Sequence, residues 1–131
     1  PTQSGLYYHF KTIAEKTNIP IIIYNIPGSS IVDMTIETMI ELSKIKNIIG
    51  VKDETNDLFI PLLTRKKMQK NFCYLSGEDG TALPLLSSGG HGCISVTANV
   101  AAKLCSEFQE ASLDKNNKDA LSSAKKINEK E

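Results

Sequence analysis

Apolar residues along this chain alternate between a helical rhythm and short continuous runs. From about Leu6 to Lys16 the positions Leu6, Phe10, Ile13 and Ala14 share one helical face, and Asn18-Ile19-Pro20 breaks the pattern. The run Ile21-Ile22-Ile23-Tyr24-Asn25 then predicts a strand, and Pro27-Gly28-Ser29-Ser30 a loop. Thr35 is placed to cap a helix over Ile36–Ser43 with Ile36, Met39 and Ile40 inward, and a second strand follows over Asn47–Val51.

The second half repeats the alternation less regularly. A polar loop, Asp53-Glu54-Thr55-Asn56-Asp57, leads to a helix whose start is blurred by Pro61 and whose end is basic, Arg65-Lys66-Lys67. Phe72–Leu75 predicts a third strand, Thr81–Leu86 a short helix, and Cys93–Val96 a fourth strand released by Gly89-Gly90-His91-Gly92. Helical patterns cover Ala98 to about Glu110 and resume near Lys118, while Lys125–Glu131 is charged enough to fray.

Strands alternating with helices, each strand nearly all apolar, call for an α/β fold with a parallel sheet covered on both faces and right-handed crossovers. Four βα units amount to half of a (β/α)8 barrel, whose usual length is about 250 residues. An open doubly wound sheet has the same periodicity, so pattern alone leaves both architectures standing.

Composition narrows the partners. The 131 residues are 40% hydrophobic and 23% charged with a formal net charge of zero, which supplies no field for nucleic acid or an anionic membrane and points to small molecules. No apolar stretch approaches the roughly 18 residues of a membrane span, and Pro1-Thr2-Gln3-Ser4 lacks signal-peptide character, so a cytoplasmic protein is expected. The odd count of cysteines, Cys73, Cys93 and Cys105, argues for buried reduced thiols over a disulfide framework. His91 and Cys93, two apart among glycines, do not have zinc-ligand spacing, and no metal site is expected.

The chemistry concentrates at two strand ends. Ile48-Ile49-Gly50-Val51-Lys52-Asp53 closes an apolar run on a lysine, one unit downstream of the run that ends at Tyr24. Strand-end lysines commonly snorkel into water, and such tyrosines commonly pack a ring in the core with the hydroxyl at the rim. A charge at the carboxyl end of a buried parallel strand is costly, however, unless it serves the cleft there. The pair therefore reads as amine chemistry, a Schiff-base lysine with a tyrosine proton relay.

Four segments together strengthen that reading. Ile23-Tyr24-Asn25-Ile26-Pro27-Gly28, Ile49-Gly50-Val51-Lys52-Asp53, Leu75-Ser76-Gly77-Glu78-Asp79 and the stretch from Gly89 to Asn99 resemble, in order and spacing, the dihydrodipicolinate synthase branch of the pyruvate-dependent class I aldolases. The resemblance runs from Pro1 to about Ala124. It implies a (β/α)8-barrel lyase that condenses pyruvate with aspartate semialdehyde on the path to diaminopimelate and lysine. By motif match Lys52 is the Schiff-base lysine and Tyr24 the relay tyrosine; Ile94 lends its backbone carbonyl nearby, and Gly77 keeps the floor of the pyruvate pocket open. Imine formation needs an unprotonated amine, a form favoured by desolvation, and the iminium is its own electron sink, so no metal or organic cofactor is required. His91 serves as structure leading into the last strand, the glycines do not spell a dinucleotide fingerprint, and Glu78 and Asp79 read as helix caps.

Departures from the family pattern are equally specific. Where the family carries an arginine for a substrate carboxylate this chain has Ser29, a neutral hydroxyl, and where it carries glycine two positions later this chain has Ile31, strained if the turn needs positive φ. The resemblance starts after the family's fourth strand, so residues 1–131 are expected to form a single carboxyl-terminal half-barrel, with the threonine pair of the relay outside it. An exposed parallel edge then predicts a homo-oligomer or association with an amino-terminal half. Three readings follow: a synthase half with impaired activity, a split-gene remnant, with Ser29, Ile31 and Pro61 as its clues, and a non-catalytic small-molecule or interaction module. Within the enzymes, N-acetylneuraminate lyase and keto-sugar-acid aldolases share the lysine and tyrosine, whereas Gly28 and Val51-Lys52-Asp53-Glu54-Thr55 favour the synthase.

Overall fold

A computed structural model describes residues 1–68, 71–114 and 116–129. The fold is α/β, with helices alternating with the strands of a four-strand parallel sheet of order β1-β2-β3-β4. The chain divides into two compact units, Pro1–Tyr74 and the residues from Leu75 onward.

In the first unit, α1 (Gln3–Glu15) starts earlier than the apolar rhythm suggests, because the Thr2 hydroxyl accepts the Gly5 N–H at 3.2 Å and caps it. The strand β1 (Ile21–Asn25) lies where predicted. The expected loop after it winds instead into a single helical turn, α2 (Pro27–Ser30), since Pro27 supplies a helical φ at the first position. Ile31 closes that turn in the left-handed region at φ 64°. The helix α3 (Ile36–Ser43) is capped by Thr35, whose hydroxyl accepts the Thr38 N–H at 3.3 Å. Of its three expected inward residues Met39 is fully buried while Ile36 and Ile40 are half-buried, and Leu42 takes the deepest place beside Met39.

The strand β2 (Ile48–Asp53) runs two residues past its predicted end. Lys52 and Asp53 pair in parallel with Tyr24 and Asn25, and the Glu54 N–H still donates to the Asn25 carbonyl at 2.9 Å. Backbone pairing here outweighs the polar side chains that suggested a loop. Ile23 and Val51 are register partners on the buried face, and Met39 and Leu42 of α3 are buried as completely. The opposite face is not covered as the apolar runs suggested: Ile22 is 41% and Tyr24 44% exposed. The first unit ends with α4 (Phe59–Thr64) and the start of β3 (Cys73–Ser76), one residue later than predicted. β3 passes so close to Gly50 that a Cβ there would stand 2.6 Å from the Cys73 carbonyl oxygen.

In the second unit, β3 leads through Gly77 to α5 (Asp79–Ser87), then to β4 (Gly92–Cys93), α6 (Ala98–Leu113) and α7 (Asn117–Asn128). β4 is two residues, not the four expected, because β3 ends at Ser76 and leaves Ser95 and Val96 no strand to pair with. Ser95 turns instead to the helix ahead, its hydroxyl accepting the Ala98 N–H at 2.9 Å. A kink at Ala101 (φ −139°, ψ 46°) interrupts α6. Ala82, Cys105, Phe108 and Ile127 form the core of this unit. Burial of Ile127 keeps residues 125–128 helical where their charge suggested fraying; Lys130 and Glu131 lie outside the described residues. No helix among the described residues is long and apolar enough to cross a membrane.

Candidate active site

Tyr24 and Lys52 end up together because β1 and β2 pair in parallel with these two residues as partners, which puts both side chains on the same, open face of the strands. The Lys52 Nζ lies 3.8 Å from the centroid of the Tyr24 ring, within cation–π range. The Tyr24 hydroxyl donates a hydrogen bond to Oε2 of Glu54, and the Lys52 Nζ lies 3.8 Å from that same oxygen. The lysine side chain is only 14% exposed and that of Glu54 24%, so the amine is largely withdrawn from water while the phenol edge stays accessible. An amine and a phenol touching at a strand end have what imine chemistry requires: a nucleophile, and a proton donor within reach of it.

A buried polar layer fixes the strand ends behind this pair. Asn25 donates from Nδ2 to Asp33 Oδ1 at 2.9 Å and to Asp53 Oδ1 at 3.3 Å, while its Oδ1 accepts the Met34 N–H at 3.2 Å. Thr55 donates its hydroxyl to the other Asp53 oxygen at 2.8 Å. Burial pushes the Asp53 carboxyl above the usual range, and the hydrogen bonds from Thr55 and Asn25 offset that only in part. With register partners Asn25 and Asp53 bonded to each other, β2 cannot slide along β1 without breaking them, and the Tyr24–Lys52 pairing is locked in register.

Gly77 and Ile94, the other two expected site residues, lie in the second unit at the carboxyl ends of the adjacent strands β3 and β4. Gly77 is buried in a turn spanned by Ser76, whose hydroxyl donates to the Glu78 carbonyl at 2.7 Å and accepts the Glu78 N–H at 3.2 Å. Ile94 stands just past β4, its N–H donating to the Ser76 carbonyl at 2.9 Å. Glu78 caps α5 as expected, its carboxylate accepting the Gly80 N–H at 3.4 Å.

Asp79 does something else. It accepts the Thr97 N–H at 3.0 Å and the Cys93 thiol at 3.7 Å, bridging the two flanks of the Ile94–Val96 segment. Burial opposes its ionisation, but the Ser95 hydroxyl and the Thr97 N–H outweigh it and hold the carboxyl below the usual range. Burial, followed by the neighbouring Asp79 charge, pushes the Cys93 thiol up to about 12, which excludes it as a thiolate nucleophile.

His91 is exposed and precedes β4, at the end of the strand opposite to Ile94. Among the described residues no three His, Cys, Asp or Glu side chains come together as a metal-binding group. The sequence places Glu54 in a polar loop and in the Val51–Thr55 context that favours the synthase, but gives it no role in the site. Strand alternation places residues two apart on one face, and Lys52-x-Glu54 carries that signal once β2 is known to reach Asp53.

Comparison with known proteins gives a consistent result. Residues 1–130 match the model of the dihydrodipicolinate synthetase family. The 4-hydroxy-tetrahydrodipicolinate synthase of Rhodospirillum centenum is 58% identical over 111 residues, which are 85% of this chain and 38% of that relative. The crystal structure of dihydrodipicolinate synthase from Aquifex aeolicus superposes with a TM-score of 0.94 at 37% identity, covering 98% of this chain and 44% of that one. The chloride-inhibited dihydrodipicolinate synthase from Acinetobacter baumannii, complexed with pyruvate, superposes at 0.88 with 39% identity, covering 99% and 45%. The chain thus spans about two fifths of the length of the relatives it matches, and its fold is part of their (β/α)8 barrel.

Proposed function

This chain belongs to the dihydrodipicolinate synthetase family, and from that premise we propose that it is the Schiff-base-bearing, carboxyl-terminal half-barrel of a 4-hydroxy-tetrahydrodipicolinate synthase-type lyase. Its substrates are pyruvate and aspartate semialdehyde. The Lys52 Nζ lone pair adds to the ketone carbon of pyruvate, the carbinolamine loses water, and the resulting iminium loses a methyl proton to give an enamine. The enamine carbon then adds to the aldehyde of the second substrate. Tyr24 carries protons to and from the carbinolamine oxygen. Gly77, buried and without a side chain, and the Ile94 backbone carbonyl bind pyruvate.

The observation that carries this reading is the contact of Lys52 with Tyr24 at paired strand ends, with the lysine largely desolvated. Ser29, neutral where the family has an arginine, and Ile31, held at positive φ, favour a weakened member. The partner is a second copy or a chain that completes the barrel, supported by the open face of β1 and by the share of its relatives that the chain spans. Three free cysteines fit a reducing, cytoplasmic setting.

Borohydride reduction in the presence of pyruvate is the direct test. A stable mass increment is expected on Lys52 and none on the same peptide of a Lys52→Ala variant. Labelling spread over other lysines, with Lys52 unmodified, removes it from the nucleophile role.

A further inference from the structure

We propose that Glu54 is a third working member of the amine site: a positioning carboxylate that gathers the Tyr24 hydroxyl and the Lys52 ammonium around a single oxygen and restrains the amine until substrate draws it away. The inference rests on the imine reading above for its catalytic meaning, but its physical core is the ion pair.

Three contacts converge on that arrangement. Oε2 of Glu54 accepts the Tyr24 hydroxyl, lies 3.8 Å from the Lys52 Nζ, and does so while that Nζ sits over the Tyr24 ring. The backbone that carries the carboxylate is fixed, because the Glu54 N–H is tied to the Asn25 carbonyl at 2.9 Å, one step beyond the last paired residues of β1 and β2. Its side chain is three-quarters buried and the lysine more so, an environment in which the pair is screened less than on an open surface. Lys44 with Glu41 and Lys11 with Glu15 also pair, but with far more exposed side chains, and where Lys11 lies near an aromatic ring, that of Tyr7, its Nζ is 5.8 Å from the centroid against 3.8 Å for Lys52 over Tyr24.

The geometry has a chemical consequence. Addition of Nζ to a ketone carbon needs the nitrogen lone pair, so the ammonium must leave Oε2 and release one proton to water before the C–N bond forms. The hydroxyl so created on that carbon later departs as water with the phenol's single proton, which must leave Oε2 to be delivered; the phenolate then regains from water the proton that the ammonium released, and Glu54 holds the phenol in place beforehand by accepting its hydrogen bond. One carboxylate oxygen therefore slows the first step by holding the ammonium and prepares the second by aiming the phenol.

The test separates the ion pair from the imine. Glu54→Gln keeps a hydrogen-bond acceptor for Tyr24 and removes the charge, whereas Glu54→Asp keeps a charge near Lys52. Limited acetylation with acetic anhydride, read peptide by peptide by mass spectrometry, reports the availability of the Lys52 amine relative to the other lysines without any substrate. Loss of an ion pair of this kind predicts that Lys52 acetylation rises about two- to fivefold in Glu54→Gln, with Glu54→Asp staying near the parent. Pyruvate–borohydride trapping should rise in parallel. Unchanged acetylation in a Glu54→Gln protein with parental circular dichroism overturns the proposal, as does an equal rise in Glu54→Asp. A rise in acetylation without trapping in any variant upholds the ion pair and overturns the imine reading instead.

Discussion

Gly50 of β2 faces the backbone of Cys73 in β3 so closely that a Cβ on Gly50 would meet the Cys73 carbonyl oxygen at 2.6 Å and the Cys73 Cβ at 2.8 Å. Both distances are shorter than any real methyl contact, and neither neighbour is a flexible side-chain tip. Gly50→Ala is therefore expected to push β3 away or twist β2, two residues before Lys52. A loss of about 1–3 kcal/mol, the usual cost of overpacking, should appear as a lower urea midpoint. An unchanged midpoint would mean that β3 has room to retreat.

Ile31 is the converse case, a β-branched residue where the backbone asks for glycine. At φ 64° and 89% exposed, it carries the steric cost of left-handed backbone and gains almost no burial in return. Ile31→Gly should raise stability by on the order of 1 kcal/mol, the relief of about 1–2 kcal/mol being reduced by the extra freedom glycine brings to the unfolded chain. The urea midpoint checks this, and a fall would show that the Ile31 side chain contributes contacts that outweigh the strain.

Ser29 sits in α2, two residues before the left-handed Ile31. In a preparation that supplies the amino-terminal half of a relative, Ser29→Arg should lower the KM for aspartate semialdehyde by about tenfold or more, because a charge-assisted hydrogen bond contributes about 1.5–3 kcal/mol. Steady-state kinetics decide it. No gain in a folded, complemented protein would place the carboxylate contact elsewhere.

Asp79 gives a pH-dependent signature. Its folded pKa lies below the ordinary value of 3.8, so its bonds to Thr97 and Cys93 contribute fully above that value and are lost as pH falls through the folded pKa. Asp79→Asn should therefore be less stable at neutral pH, by about 1–3 kcal/mol for a buried hydrogen-bonded charge, and should lose less further stability than the parent below about pH 4. Urea melts at a series of pH values measure both; parallel curves for the two proteins would remove Asp79 from the acid limb.

The sequence by itself determined the alternation of four strands with helices, the parallel α/β class and the pair Lys52 and Tyr24. Each is written locally: apolar runs of strand length, Thr35 ahead of a helical face, and a lysine and a tyrosine at the ends of successive runs. What only the tertiary structure decided are matters of partnership across the chain. That β2 continues through Asp53 depends on β1 lying beside it, since isolated polar residues prefer a loop. That β4 stops at Cys93 depends on where β3 ends. Residues 27–30 close into a helical turn that starts on Pro27 and ends with Ile31 at a left-handed φ, a conformation an isoleucine in sequence does not announce. Glu54 and Asp79 have the same explanation in the site. A carboxylate in sequence is a charge without an address, and its role follows from which donors the fold brings to it: the Tyr24 phenol and Lys52 amine in one case, the Thr97 N–H and Cys93 thiol in the other.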